Sequence, residues 1–197
     1  AVGSGSHGRQ TGEMLGLLDE LFAEKAPDVV LVYGDTNTTL AAGIAAAKLG
    51  IPVAHVEAGL RSFNKTMPEE INRVLVDHVS DILLCPTSAA VANLAAEGIT
   101  EGVHQVGDVM LDTARFFADT VDPAETLERY GVTAGMYYFA TVHRAATSDS
   151  PEALGAVIEA FGKLDRPVLW AIHPRTRKNI DAFGLEGALA NASNICP

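Results

Sequence analysis

Short apolar runs rich in β-branched residues alternate along this chain with longer stretches of helical spacing. Residues 28–33 (D-V-V-L-V-Y) read as a buried strand closed by Gly34-Asp35-Thr36. Residues 37–49 are Ala-rich and helical, with Gly50 placed to end the helix. The pattern continues as strand 51–56, helix 69–79, strand 81–85, helix 88–97 with Ser88 as N-cap and Gly98 as terminator, strand 103–106 and helix 108–117. An acidic, proline-containing segment follows, carrying a short helix over 123–130. A second αβ pattern then begins: strand 136–141, helix 151–164, strand 168–172, helix 176–183 and the start of a strand. Strands joined by helices of this length predict βαβ units and parallel sheets. The domain reading is 1–118, a linker 119–131, and 132–197 as the start of a second domain.

Composition narrows the function classes. In 197 residues, 48% are hydrophobic and 20% charged, which suits a packed globular chain. The formal net charge of −11 and the lack of a basic patch argue against general nucleic-acid or membrane-surface binding. An anionic ligand remains possible, because a few placed arginines bind phosphate locally. Cys85 and Cys196 sit in apolar runs and are expected to be buried free thiols; no metal-ligand spacing occurs. No apolar run is long enough to span a membrane and no signal peptide opens the chain, so the expected location is the cytoplasm. The chain opens without Met in a small-residue stretch and stops after a strand-like Ile195-Cys196, which suggests an incomplete piece.

Ligands of parallel α/β sheets bind beyond the carboxyl ends of the strands. That rule selects Gly34-Asp35-Thr36, His55 to Arg61 and Cys85-Pro86-Thr87. Asp35 reads equally as an N-cap or as a ligand-facing carboxylate beside Thr36. His55-Val56-Glu57-Ala58-Gly59-Leu60-Arg61 gathers an imidazole, a carboxylate and a guanidinium at one strand end, which favours a ligand. Pro68-Glu69-Glu70-Ile71-Asn72-Arg73 is an ordinary helix start, with Glu69 and Arg73 spaced to pair. His143-Arg144 ends the first strand of the second part and reads as anion-binding or as structural; His173-Pro174-Arg175-Thr176-Arg177, one strand later, reads as phosphate-facing or as a helix start with solvated arginines. The stretch Gly3 to Gly8 is like a phosphate loop in composition only. His7, His78 and His104 are assigned surface or packing roles.

In order and spacing, Gly34-Asp35-Thr36, H-V-E-A-G-L-R (55–61), P-E-E-I-N-R (68–73), Cys85-Pro86-Thr87, Gly107-Asp108, His143-Arg144 and His173-Pro174 resemble the UDP-N-acetylglucosamine 2-epimerase family, non-hydrolysing type, over essentially the whole chain. The resemblance implies two Rossmann-like domains in a GT-B arrangement, both truncated here, holding a UDP-sugar without any cofactor or metal. It implies a cytoplasmic homodimer, feeding polysaccharide synthesis, that interconverts UDP-GlcNAc and UDP-ManNAc. UDP is eliminated to give 2-acetamidoglucal and then re-added. The catalytic carry-over falls on Asp35, Glu57, Glu69 and His143; Arg73, Arg144, His55, Thr36 and His173 are carried over as substrate-binding. Two family segments that hold the nucleotide, G-T-R-P-E-like and D-S-G-G-x-x-E-E-like, are missing. Where members carry an acidic residue after the His-Arg pair, this chain has Ala145-Ala146-Thr147, which bears on a regulatory UDP-sugar site. The rival readings are a hydrolysing epimerase, an epimerase of a diacetamido UDP-sugar, a non-catalytic UDP-sugar-binding fragment and, least supported, a GT-B glycosyltransferase.

Overall fold

A computed structural model describes residues 2, 3 and 5–197; Ala1 and Ser4 of the opening small-residue stretch lie outside the described residues. The chain divides into two compact units, Ala1–Asp119 and Thr120–Pro197.

The first unit runs α1 (His7–Lys25), β1 (Val30–Tyr33), α2 (Asn37–Lys48), β2 (Val53–Val56), α3 (Pro68–Val79), β3 (Ile82–Cys85), α4 (Ser88–Ala96), β4 (Val103–Gln105) and α5 (Val109–Ala118). Its strands form a parallel sheet in the order β1-β2-β3-β4, with Val30 opposite Val53 and Leu83 opposite Val103. β2 is buried along its whole length, which is why its sequence is apolar without alternation. Small side chains let α2 lie close to its neighbours. Ala41, Ala45 and Ala46 are fully buried, and Gly43 faces Val76 of α3. One core joins Val30, Val32, Leu40, Val53 and Val76, with Leu18 and Phe22 of α1 packed on it. A second joins Ala58, Leu83, Cys85, Ala90 and Leu94.

The second unit contains α6 (Pro123–Tyr130), β5 (Tyr138–Ala140), α7 (Ala145–Ser148), α8 (Pro151–Gly162), β6 (Val168–Trp170), α9 (Pro174–Ala182), α10 (Glu186–Asn191) and β7 (Ile195–Cys196). Its sheet is parallel, ordered β5-β6-β7, and its core is Leu154, Ile158, Val168, Trp170, Ile180 and Ile195. Among the described residues, no helix is long and apolar enough to cross a membrane.

Four local expectations change. The helix α1 is absent from the pattern read above, because Gly8, Gly12 and Gly16 dilute its propensity. The strands are shorter than their apolar runs. Thr87, not Ser88, caps α4, its hydroxyl accepting from the Ala90 N–H. Cys85 is buried but Cys196 is only partly so.

Gly59 shows how tightly the first unit is closed. It has φ +76°, and a Cβ there would lie 2.4 Å from the carbonyl oxygen of Ala90. Gly59→Ala therefore combines a strained backbone with a clash against main chain. The expected cost is about 2–4 kcal/mol, read as a lower urea midpoint with unchanged slope.

Candidate active site

The chemistry-bearing residues of the first unit collect where β1 and β2 end. Gly34 turns the chain at φ +63° and its N–H donates to the Val56 carbonyl at 3.0 Å. This lace holds the turn after β1 against the end of β2. Asp35 follows, and Thr36, not Asp35, caps α2: its Oγ1 accepts from the Thr39 N–H at 3.2 Å. The capping alternative for Asp35 is thereby removed and its carboxylate is free for other partners.

Glu57, the first residue beyond β2, adopts φ +70°. A non-glycine residue in the left-handed region costs about 1–2 kcal/mol. What the strain achieves is visible at Gly34: a Cβ there would lie 3.0 Å from Glu57 Oε2. The Glu57 carboxylate thus lies against the turn that carries Asp35, and a side chain at Gly34 would have to displace it slightly as well as adopt φ +63°.

Arg73 of α3 joins two acids. It pairs with Asp35 and, at 3.3 Å, with Glu70. The sequence spacing suggested a Glu69–Arg73 pair, but Arg73 reaches past Glu69 to Asp35. Asn72 adds a hydrogen bond to the Asp35 carbonyl at 2.8 Å. Glu69 instead faces a cavity of about 260 Å³ lined by His7, Asp35, Thr36, Asn37, Pro68 and Asn72. A larger, mostly apolar hollow of about 510 Å³ lies beside Phe63, Ile71 and Leu75; it holds none of the expected catalytic groups.

Glu70 is buried and anchors the loop before α3. It accepts from the Ser62 N–H and hydroxyl, both at 2.9 Å, and from the Phe63 N–H at 2.8 Å. Burial acts to raise its pKa, but these donors and Arg73 outweigh it and hold Glu70 below the ordinary carboxylate range.

Beneath the site lies a buried ionic cluster. His55 is fully buried, with Nε2 at 2.8 Å from the Gly34 carbonyl and Nδ1 at 2.7 Å from Asp77. The other Asp77 oxygen accepts from the Gly59 N–H at 3.0 Å and from Arg61 at 2.7 Å. Arg61 also makes a two-pronged pair with Glu97, both contacts 2.7 Å. Burial opposes the charge on Arg61, yet Glu97 and Asp77 hold its pKa above the ordinary value. Glu97 is lowered, chiefly by the Arg61 hydrogen bonds. His55, carried over from the resemblance as substrate-binding, is placed with both nitrogens engaged below the surface, where it supports the Gly34 turn.

The second unit has its own strand-end cluster. Thr141, Val142, His143, Arg144 and Thr147 line a cavity of about 360 Å³. The Thr176 hydroxyl holds the Val142 carbonyl at 2.8 Å. His173 caps α9, its Nδ1 accepting from the Arg175 N–H at 3.2 Å, and its ring lies 6.2 Å from that of His143. Arg175 is paired with Asp149. Arg144 forms no ion pair among the described residues.

Asp77 was not singled out from the sequence, and Asn72 entered only as a member of the P-E-E-I-N-R motif. Asp77 lies further along the same helix and meets His55 across 22 residues of chain.

Two outcomes follow. Asp77→Asn strips the charge that serves His55 and Arg61, with an expected loss of about 3–5 kcal/mol in chemical denaturation. For Glu70, the folded pKa is depressed, so its stabilisation is complete above the unfolded pKa of about 4.3 and is lost as pH falls through the folded value. Glu70→Gln starts less stable at pH 7 and shows a flatter acid limb, measured as denaturation midpoint against pH.

A family model described as UDP-N-acetylglucosamine 2-epimerase matches residues 1–195. A Methanococcus maripaludis UDP-N-acetylglucosamine 2-epimerase homolog is 46% identical over 98% of this chain and 55% of its own length. The UDP-2,3-diacetamido-2,3-dideoxy-D-glucuronate 2-epimerase of Pseudomonas aeruginosa is 46% identical over 94% of this chain and 53% of its own. The crystal structure of Methanocaldococcus jannaschii UDP-GlcNAc 2-epimerase in complex with UDP-GlcNAc and UDP superposes with a TM-score of 0.85, at 41% identity, over 98% of this chain and 55% of that one. The chain spans about half the length of these relatives. On the family match and on these identities, the chain belongs to the UDP-N-acetylglucosamine 2-epimerase family.

Proposed function

We propose that the protein interconverts UDP-GlcNAc and its C2 epimer UDP-ManNAc by eliminating UDP and adding it back. One observation carries this reading: the charges at the strand ends are sorted by unit. In the first unit Asp35, Glu57 and Glu69 gather at the ends of β1 and β2 and the start of α3, and the nearby cations Arg61 and Arg73 are already paired with protein carboxylates. In the second unit His143 and Arg144 stand beside a cavity with no carboxylate partner among the described residues.

That sorting suits the reaction. The C2 proton of the sugar is not acidic, so its removal is coupled to departure of UDP from C1. Positive charge develops at C1 as that bond breaks, and carboxylates stabilise it. Inversion at C2 takes a proton from one face and delivers one to the other, which suits two differently placed acid/base groups. Asp35 and Glu57 are assigned to the sugar, and Glu69 to proton transfer or to orienting a partner. Thr36 lines the same cavity as a sugar contact. His143, Arg144 and His173 are assigned to the diphosphate. Arg73 acts by holding Asp35, and His55 by holding Gly34.

A second reading keeps the chemistry and changes the sugar to a 2,3-diacetamido uronate, as in the equally similar Pseudomonas aeruginosa relative. The test is incubation of the protein, expressed from its complete reading frame, with either UDP-sugar in deuterated water. NMR would follow deuterium at C2 and the anomeric signals. Exchange on UDP-GlcNAc supports the first reading; exchange only on the diacetamido sugar moves the assignment to the second; none on either from a folded protein sinks both. Asp35→Asn and Glu57→Gln are each expected to lower kcat at least about a hundredfold while the fold is kept. Gly34→Ala, which pushes on the Glu57 carboxylate, should lose activity with them.

A further inference from the structure

His7 carries a feature that its sequence context hides. It is the first residue of α1, and it lines the 260 Å³ cavity with Asp35 and Glu69. Its tautomer follows from a chain of amides anchored at both ends on main-chain carbonyls. At one end, Gln10 Nε2 donates to the Gly5 carbonyl at 3.2 Å, so Gln10 turns its oxygen toward Asn37. That oxygen accepts from Asn37 Nδ2 at 3.0 Å. At the other end, Asn72 Nδ2 donates to the Asp35 carbonyl at 2.8 Å and to Asn37 Oδ1 at 3.1 Å. Both anchors therefore fix the Asn37 amide in one orientation. Its Nδ2 also lies 3.0 Å from His7 Nδ1, closer than Oδ1 at 3.4 Å, which already accepts from Asn72. Nδ1 is thus an acceptor, and the ring proton sits on Nε2.

The hydrogen count of the cavity gives that proton its meaning. Both Nδ2 protons of Asn37 are used, on Gln10 and His7, and both of Asn72, on Asp35 and Asn37. Pro68 has none to give, and Asp35 and Glu69 as carboxylates only accept. Among the described residues, the Nε2–H of His7 is the one side-chain N–H of this lining left without a partner. We propose that His7 contacts the substrate, donating from Nε2 to an acceptor oxygen on the bound sugar, a hydroxyl or the acetamido carbonyl, with Asn37 as its positioning residue. The proposal rests on the reading that the ligand is a UDP-linked acetamido sugar, and it assigns to one face of that sugar a donor among carboxylates.

The test uses the protein expressed from its complete reading frame, with UDP-GlcNAc as probe. The ¹⁵N shifts of His7 are expected to show an acceptor Nδ1 and a protonated Nε2 in the free protein, with Nε2 moving on addition of the nucleotide sugar. By calorimetry, His7→Ala should weaken binding about tenfold, whereas His7→Gln, which keeps an N–H near the Nε2 position, should restore it to within about threefold. Unaltered binding by a folded His7→Ala protein, or a protonated Nδ1, overturns the proposal and leaves the epimerase reading standing. If the wild-type protein binds UDP-GlcNAc not at all, the substrate reading fails and this proposal falls with it.

Discussion

The carboxylate of Asp77 is the point on which the first unit turns. From inside α3 it binds the His55 ring of β2, the Gly59 N–H of the following loop and the guanidinium of Arg61, which in turn clamps Glu97 at the end of α4. A buried charge is tolerated only when paired and hydrogen-bonded on all sides. Asp77 meets that condition only if helix, strand and loop are all in place, so it couples them. The coupling reaches the surface through the other nitrogen of His55, which holds the Gly34 carbonyl directly under Asp35. A group with no exposure of its own thereby fixes the position of one that faces the cavity.

The strained backbone at Glu57 acts from the opposite side. Left-handed geometry at a glutamate persists only where the surroundings over-determine it. Here the surroundings are the Gly34–Val56 hydrogen bond and the loop that Asp77 and Glu70 pin at Gly59, Ser62 and Phe63. Arg73 completes the arrangement by drawing Asp35 toward α3. Two carboxylates that would repel in water are held close to one turn, Asp35 by its pair with Arg73 and Glu57 by the backbone around it.

The sequence carried the architecture where apolar runs are unbroken. The strands Val30–Tyr33 and Val53–Val56 and the Ala-rich helix Asn37–Lys48 are legible because β-branched runs and small residues leave few other folds for them. The opening helix was not legible. Its half-buried face of Met14, Leu18 and Phe22 has helical spacing, but three glycines interrupt it. At the site, the motif residues Asp35, Glu57 and Glu69 were visible by type and position. Their division of labour was not: whether Arg73 pairs with Glu69 and whether His55 is exposed depend on contacts of 21 to 38 residues' separation, and whether Asp35 caps turned on its neighbour Thr36, an equally good capping residue. The Asp77 and Asn72 contacts belong to the same class, since a mid-helix Asp or Asn has no local signature of a long-range partner.

In the proposed reaction, the ion pairs of the first unit decide how freely its carboxylates respond to the sugar. A free arginine beside Asp35 and Glu57 would compete with a developing positive centre on the sugar for the same carboxylates, weakening their stabilisation of it. Arg73 avoids part of this conflict by holding Asp35 through one guanidinium nitrogen while another engages Glu70. Arg61 is removed from it altogether by Asp77 and Glu97. On the proposed reading, the negative charge left at the ends of β1 and β2 can then respond to bond breaking at C1.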